Sequence, residues 1–185
     1  MSLVSRDRPD IMEYSESRTS LKTIGFDGRI VSHEMGKQIE DVCCHHVSMI
    51  YDLDLVGDIW TDRPEIIPSQ IYEIPLKVTG ETTASKLERL RAEMNETDWL
   101  LVSRLEDIAW IYNLRGRDVE HTPVFYAFAL ISKKEDILYV MDDSYIKRSA
   151  SSVDGSAKTA VRRYAEVFKD LKQLADCTIM LDKDS

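Results

Sequence analysis

The residues of this chain that could do chemistry are few and scattered. Its four histidines are His33, His45, His46 and His121. Two imidazoles grip one metal from a single helix at spacings such as His-x-x-x-His or His-Glu-x-x-His, and no such pair occurs. His33 falls in a first helical turn, the adjacent His45 and His46 point to different sides of a helix, and His121 lies in a loop. Each reads as a surface or structural histidine. Glu106 and Asp107, with Asp118 and Glu120, are candidates for paired carboxylates in acid–base work. Glu106 already has a capping role, however, and nearness in sequence is not nearness in space. Cys43-Cys44 would close a strained ring and lacks the Cys-x-x-Cys spacing, so helix packing is the better reading. Gly155-Ser156-Ala157-Lys158-Thr159 echoes the end of a phosphate loop but lacks its first glycine and the glycine directly before lysine. Trp60, Trp99 and Trp110 read as core or domain-packing residues, not a ligand cage. The expectation is a chain with no catalytic residue and no metal ligand of its own.

One loop keeps a functional reading open. Between Asn113 and Phe125, Arg115 and Asp118 are presented after a capped helix and before a buried strand. The plain reading is that Arg115 pairs with Asp118 or Asp107 and braces the loop.

The elements that position this loop run from Asp98 to Ser132. Trp99 to Val102 is an apolar run of strand length. Ser103 is placed to cap a helix, and Glu106 three residues later completes a capping box. Leu105, Ile108, Ala109 and Tyr112 recur at helical spacing, and Leu114-Arg115-Gly116 breaks the pattern, glycine tolerating a left-handed cap. Pro123 opens a second apolar run, Val124 to Ile131. With Ile137 to Met141 as its return strand, this predicts a β-hairpin.

The flanking segments are read the same way. Val4 to Ser20 is polar, with a weak helical signal from Ile11 to Ser17, and Met1 to Leu3 have the character of an expression scar. Leu21 to Phe26 reads as a strand, and Ser32 caps a helix carrying Met35, Ile39, Val42, Cys43 and His46 on one face. Val47 to Tyr51 is a second strand. That strand-helix-strand unit is too small to bury a core alone, so residues 1–51 read as the C-terminal remnant of a larger domain. Residues 52–80 read as a linker, because Pro64, Pro68 and Pro75 deny it regular structure; Val56, Ile59 and Trp60 could form one helical turn. Residues 81–185 read as a second domain. Thr82 or Thr83 caps a helix with Leu87, Leu90 and Met94 inward, Tyr145 to Lys147 is helical, and Ser149 to Lys158 is a loop. Ala160 to Tyr164 is a strand, Ala165 to Ala175 a helix with Val167, Phe168, Leu171 and Leu174 inward, and Cys177 to Leu181 a last strand. The fold class is α/β, a mixed sheet with flanking helices.

Bulk composition narrows the function. The 185 residues are 43% hydrophobic and 31% charged, as in a soluble globular protein. A net charge of −9 argues against nucleic acid or an anionic membrane as partner. No apolar run approaches the roughly 20 residues needed to span a bilayer, and the polar first residues are no signal peptide. Three cysteines, two of them adjacent, make no disulfide framework. The simple inference is a reducing, cytoplasmic setting.

The central stretch also carries a resemblance. Asp107-Ile108-Ala109-Trp110, Asn113-Leu114-Arg115-Gly116, Asp118 and Pro123-Val124-Phe125 resemble the second domain of three-domain aminopeptidase P, the Xaa-Pro aminopeptidases. Upstream, Ile59-Trp60-Thr61-Asp62-Arg63-Pro64 resembles the linker between that family's first two domains. With the spacing between the two matches, the resemblance covers the chain from about Thr23 to its end. One departure is Thr122, where the family often has asparagine. The resemblance implies the creatinase/prolidase N-terminal fold, which is ribonuclease H-like. It implies a parent enzyme that releases an N-terminal residue preceding proline, using two divalent metal ions, manganese by resemblance. That family's ligands, two Asp, one His and two Glu, belong to a third, C-terminal catalytic domain, and nothing here matches them. By the same resemblance Asn113, Arg115, Asp118, His121 and Phe125 are candidates for the rim of the substrate cleft or the interface with that catalytic domain. The implied reading is a non-catalytic N-terminal region that shapes the cleft and the subunit contact. Its implied partners are the catalytic domain, a proline-containing peptide in the parent, and a second subunit in a homodimer. Two rivals stand beside it: a stand-alone interaction module of this fold, and a small enzyme with an unrecognised site, which needs perturbed carboxylates or histidines clustered in a pocket.

Overall fold

The structure, a computed structural model, describes residues 22–42, 47–151 and 159–182. The helical signal at Ile11 to Ser17, Cys43-Cys44, His45, His46 and most of the Gly155 to Thr159 segment lie outside the described residues. The chain divides into two compact units, the first reaching Glu65 and the second running from Ile66 to Asp182.

In the first unit, β1 (Thr23–Gly25) and β2 (Ser48–Ile50) pair in parallel, joined through helix α1 (His33–Val42). The Ser32 hydroxyl accepts the Met35 N–H at 3.2 Å, the N-cap its sequence predicts. Ile39 is buried on the inner face, while Met35, predicted on the same face, is exposed. Helix α2 (Leu55–Ile59) is one short turn capped by Asp54, whose carboxylate accepts the Gly57 N–H at 2.8 Å.

The second unit is built on a five-stranded sheet. Its strands are β4 (Trp99–Val102), β6 (Ala127–Ser132), β7 (Asp136–Val140), β8 (Ala160–Arg163) and β9 (Ile179–Met180), in the order β8-β7-β6-β4-β9. The β6–β7 hairpin is antiparallel, as is β4–β6, whereas β7–β8 and β4–β9 are parallel. The mixed sheet and its hairpin are those the apolar patterning predicts. Alternate residues of the hairpin serve two cores, because side chains on a strand alternate faces. Ala127, Ala129, Ile131, Leu138 and Val140 join Leu87 of helix α4 (Thr83–Glu93), Met94 at its C-cap, and Ile108, Ala109 and Ile111 of helix α5 (Leu105–Ile111). Leu130, Ile137 and Tyr139 join Val167, with Phe168 and Leu171 packed alongside, from helix α7 (Glu166–Gln173). With both faces covered, the central strands read as continuous apolar runs.

Several local expectations are corrected. Helix α5 starts one residue later than a Ser103 cap implies. Arg104 holds the N-cap position in extended geometry and makes no side-chain cap bond. Glu106 thus sits at the second helical position, where its charge still favours the positive end of the helix dipole. The left-handed residue after α5 is Asn113, with φ 56°, not Gly116. Asparagine tolerates this region better than most side chains. Gly116 is needed for another reason: a Cβ there would lie 2.6 Å from Cβ of Phe125. Helix α6 (Asp143–Ser151) extends into the segment expected to be loop. Asp142 starts it, accepting the Ser144 and Tyr145 N–H groups at 2.9 and 3.2 Å.

The proline-rich stretch is more ordered than three prolines suggest. It holds β3 (Tyr72–Glu73), paired antiparallel with β5 (Leu114–Arg115), and helix α3 (Leu76–Thr79), closed by left-handed Gly80. Ile71 is 1% exposed and packs in the core of the second unit.

Candidate functional site

The loop from Asn113 to Phe125 is held from three directions. At its start, Asn113 turns the chain after α5 and spends its whole amide on the fold. Its Nδ2 donates to the Glu81 carbonyl at 2.8 Å, and its Oδ1 accepts from Lys86 Nζ at 2.6 Å. Its backbone carbonyl accepts the Ile74 N–H at 2.8 Å.

Lys86 comes from α4 and is 2% exposed. Besides Asn113, its ammonium donates to the Trp110 carbonyl at 2.6 Å and lies 4.3 Å from the centroid of the Trp110 ring. Burial pulls its pKa below the ordinary lysine value. Glu81 opposes that shift, and the nearby Arg115 and Arg89 cations reinforce it. Arg115 approaches the same helix end, donating from Nη1 to the Ala109 carbonyl at 2.7 Å and the Leu114 carbonyl at 2.8 Å. Two cations thus satisfy last-turn carbonyls of α5, where the helix dipole is negative. The expected ion pair of Arg115 with Asp118 or Asp107 is replaced by these backbone bonds, because Asp118 is engaged elsewhere.

Asp118 sews the loop to two other segments. One oxygen accepts the Ser69 N–H at 2.6 Å and the other the Tyr126 N–H at 2.8 Å. The Ser69 hydroxyl accepts the Arg117 N–H at 2.7 Å, so the two strands of chain clasp each other. Phe125 is 1% exposed and anchors the loop from within the core. His121 is at the other extreme. It sits exposed at the tip with φ 64°, in a turn closed by Thr122 N–H to Val119 O at 3.3 Å, with its Nε2 3.4 Å from Glu120. Arg117, Val119, Glu120, His121, Thr122 and Pro123 line a shallow hollow of about 310 Å³ beside it.

Of the five residues picked from sequence, Asn113, Arg115 and Asp118 are therefore brought together around the loop base. Phe125 lies beneath them, and His121 projects alone. Sequence reasoning missed Lys86, Ser69 and a polar cluster around Arg91, further along α4. There Arg91 Nη2 bonds the Asp136 carboxylate at 2.7 Å and its Nε the Ser132 carbonyl at 2.9 Å. The Tyr112 hydroxyl bonds Asp136 at 3.3 Å, and burial first, then the Asp136 charge, pushes its phenol pKa well up. Arg91 and Tyr112 border a cavity of about 480 Å³ between α4 and α6, with Tyr145, whose phenol is pushed up to about 12 by burial and by Glu73, on its wall. Only the helical position of Arg91, three residues before Met94, hinted at this cluster.

The polar groups of the loop are mostly committed to backbone partners, and none of the hydrogen bonds described above for the loop residues joins a nucleophile to a base. Among the described residues no group of three or more His, Cys, Asp or Glu side chains could hold a metal ion. The described residues therefore do not fit a metal pair. Among them, too, no helix is long and apolar enough to cross a membrane.

Comparison with known proteins agrees with this architecture. Residues 62–185 match the Creatinase/Prolidase N-terminal domain. Aminopeptidase P1 of Arabidopsis thaliana is 35% identical over 124 residues, 66% of this chain and 19% of that protein. A probable Xaa-Pro aminopeptidase P of Leptosphaeria maculans is 34% identical over 134 residues, 71% of this chain and 22% of that protein. The chain thus spans about a fifth of the length of these relatives. The crystal structure of an X-prolyl aminopeptidase from Caenorhabditis elegans, described as a cytosolic enzyme with a di-nuclear active site, shares the fold. Its TM-score is 0.74 at 20% identity, over 96% of this chain and 31% of that one. With the matched segment spanning the whole second unit, the chain belongs to the Creatinase/Prolidase N-terminal domain family.

Proposed function

We propose that this chain is the non-catalytic N-terminal region of a Xaa-Pro aminopeptidase and that it shapes the substrate cleft of the parent enzyme. In this reading residues 1–51 are the end of a first domain, 52–80 the linker and 81–185 the second domain. The partner is a metal-dependent catalytic domain. When bound there, two divalent ions would supply an activated hydroxide and polarise the carbonyl before proline. This chain contributes position, not chemistry. The parent works in the cytoplasm, as a homodimer.

One observation carries the reading. Within the family-matched segment, the Asn113 to Phe125 loop is braced at its base by Asp118, Asn113 and Phe125 and offers only its tip to solvent. A loop fixed in this way adds little ordering cost when it meets a partner or substrate. Its polar base is consumed in holding it, which suits a rim and not a reaction centre.

The test uses two proteins. The first is this chain alone, assayed on Arg-Pro-Pro and Gly-Pro peptides with manganese, cobalt or zinc. The second is Arabidopsis aminopeptidase P1 with its matched stretch replaced by residues 62–185. We expect no turnover from the first and X-Pro cleavage from the second. Chelator-sensitive turnover that stays with the isolated chain, or a folded but inert chimera, would overturn the proposal.

A further inference from the structure

The cavity between α4 and α6 is a hollow that the proposed function does not use. It measures about 480 Å³, and small-molecule sites occupy roughly 300–1,000 Å³. Leu87, Leu114 and Leu138, each at most 3% exposed, form its floor. Tyr145 of α6 and Leu76 of α3 line its sides, and Glu73 of β3 stands exposed at its edge. The walls are fixed from within the second unit. On α4, Ala84, Leu87 and Arg91 recur at helical spacing, so one face of that helix backs the cavity. Opposite, the segment entering β3 is gripped at Ile71, whose N–H bonds Asp142 at 3.0 Å and whose carbonyl accepts from Arg148 at 2.8 Å. The β3–β5 pairing and the Ile74 N–H to Asn113 carbonyl bond then fix the backbone of Glu73. A site held in this way adds little ordering cost to binding.

The polar groups of the lining select the ligand. Arg91 is spent on Asp136 and the Ser132 carbonyl, and the Tyr112 hydroxyl on the same Asp136 carboxylate. Asn113 spends its amide on Glu81 and Lys86. Arg148 lies 5.5 Å from the Tyr145 ring, is bonded to Ile71 and stands outside the lining. Glu73 differs from all of these. Among the described residues no cation forms an ion pair with its carboxylate, and its charge reaches the Tyr145 phenol. The cavity thus offers apolar surface with one unneutralised negative charge at its edge. We propose that it binds a small organic ammonium, an apolar body seated on Leu87, Leu114 and Leu138 with its charged nitrogen on the Glu73 carboxylate. Charge complementarity names this occupant. A neutral molecule of the same shape gains only the apolar burial, and a carboxylate is repelled by Glu73.

The experiment titrates the full chain with three probes of one shape: phenethylamine, phenethyl alcohol and phenylpropionate. Calorimetry reads the affinity, and amide chemical shifts locate the site. Glu73→Gln removes the charge from an exposed side chain, and Ala84→Trp fills the hollow from the exposed side of α4. Unchanged circular dichroism and Tm confirm that each variant is folded, and Ala84→Trp serves alone if Glu73→Gln is not. Saturable binding of the amine, at least tenfold tighter than of the alcohol or the carboxylate, with shifts at Leu87, Leu114 and Tyr145, supports the proposal. Glu73→Gln should then abolish the preference for the amine, and Ala84→Trp should weaken its binding at least tenfold. Three probes that bind alike overturn the proposal, as does a preference that survives Glu73→Gln. Binding that Ala84→Trp leaves unchanged, shifts confined to another part of the chain, or an amine that does not bind at millimolar concentration overturn it as well. None of these results bears on the aminopeptidase reading, whose test is the chimera.

Discussion

Ser69 and Asp118 stand 49 residues apart in sequence and are joined by an N–H to carboxylate hydrogen bond of 2.6 Å. The other Asp118 oxygen takes the Tyr126 N–H. One side chain thus closes the loop and fastens it to the segment before β3. Asp118→Ala should leave two partly buried N–H groups without an acceptor. We expect a loss of about 2–3 kcal/mol, at roughly 1 kcal/mol or more for each stranded group. Asp118→Asn keeps one acceptor and should lose about half as much. Urea unfolding of the three proteins checks the order.

Arg115 donates to two carbonyls and stands clear of the carboxylates. Arg115→Ala exposes a helix end to water but strands no buried charge, so the cost should be about 1–2 kcal/mol. Arg115→Lys, which lacks the planar fork, should recover only part of it. Thermal unfolding of both variants decides.

Lys86 is held charged in a buried place, with its pKa below the ordinary value because of that burial. Between its lowered folded value and the unfolded value near 10.5, the unfolded chain binds more protons. Stability contributed by Lys86 must therefore rise with pH through that window and be lower on its acid side. Tyr145, raised in the folded state to about 12, works the other way above about pH 10, where the folded chain keeps the proton. The difference between wild type and Lys86→Met, measured by urea unfolding from pH 8 to 10, isolates the lysine. It should shrink if the ammonium were paired as an exposed group is, and rise with pH if burial dominates.

Asp142 caps α6 and accepts the Ile71 N–H. Burial alone would raise its carboxyl. The Ser144 hydroxyl at 2.6 Å, with the Ile71, Tyr145 and Ser144 N–H groups, outweighs burial and holds it below the ordinary value of 3.8. The folded chain thus binds fewer protons, so the contribution is full above the ordinary value and lost as pH falls through the lowered one. Acid unfolding should show that loss in the wild type and a flatter profile in Asp142→Asn. At pH 7 the variant should be about 1–2 kcal/mol less stable, from the weakened cap and the Ile71 N–H.

The first unit should open more readily than the second. Its sheet is a two-stranded pair, and such pairs are marginal on their own. Hydrogen exchange should be faster at β1 and β2 amides than at β4, β6 and β7. Equal protection in both would show that the first unit is stabilised by contacts beyond its own sheet.

Much of the fold was legible because it is written locally. The hairpin announces itself by apolar runs on either side of a polar connection, and α4 by Leu87, Leu90 and Met94 at helical spacing. What escaped depends on closeness across the chain. Nothing near Lys86 marks it as buried, since it neighbours Leu87 in a helix whose two arginines, Arg89 and Arg91, could equally face water. Asn113 and Gly116 both tolerate left-handed backbone, and only the approach of Phe125 decides which residue turns the chain and which makes room. The Arg115 brace was misassigned because Asp118 had a partner, Ser69, that no spacing rule links to it. The loop itself was legible as a candidate site, as it combines turn formers with charge between two buried elements.

The fastening of residues 69–74 limits where this protein can be shortened. A chain that began near Gly80, where composition changes, would lose Ile71 from the core. It would also leave Asp118 and Asp142 without the N–H groups of Ser69 and Ile71. One that began a few residues before Ser69 would keep both anchors and the β3–β5 pairing. The same holds for proteolytic nicks: a cut ahead of the serine spares both anchors, and a cut after Tyr72 unseats a plug.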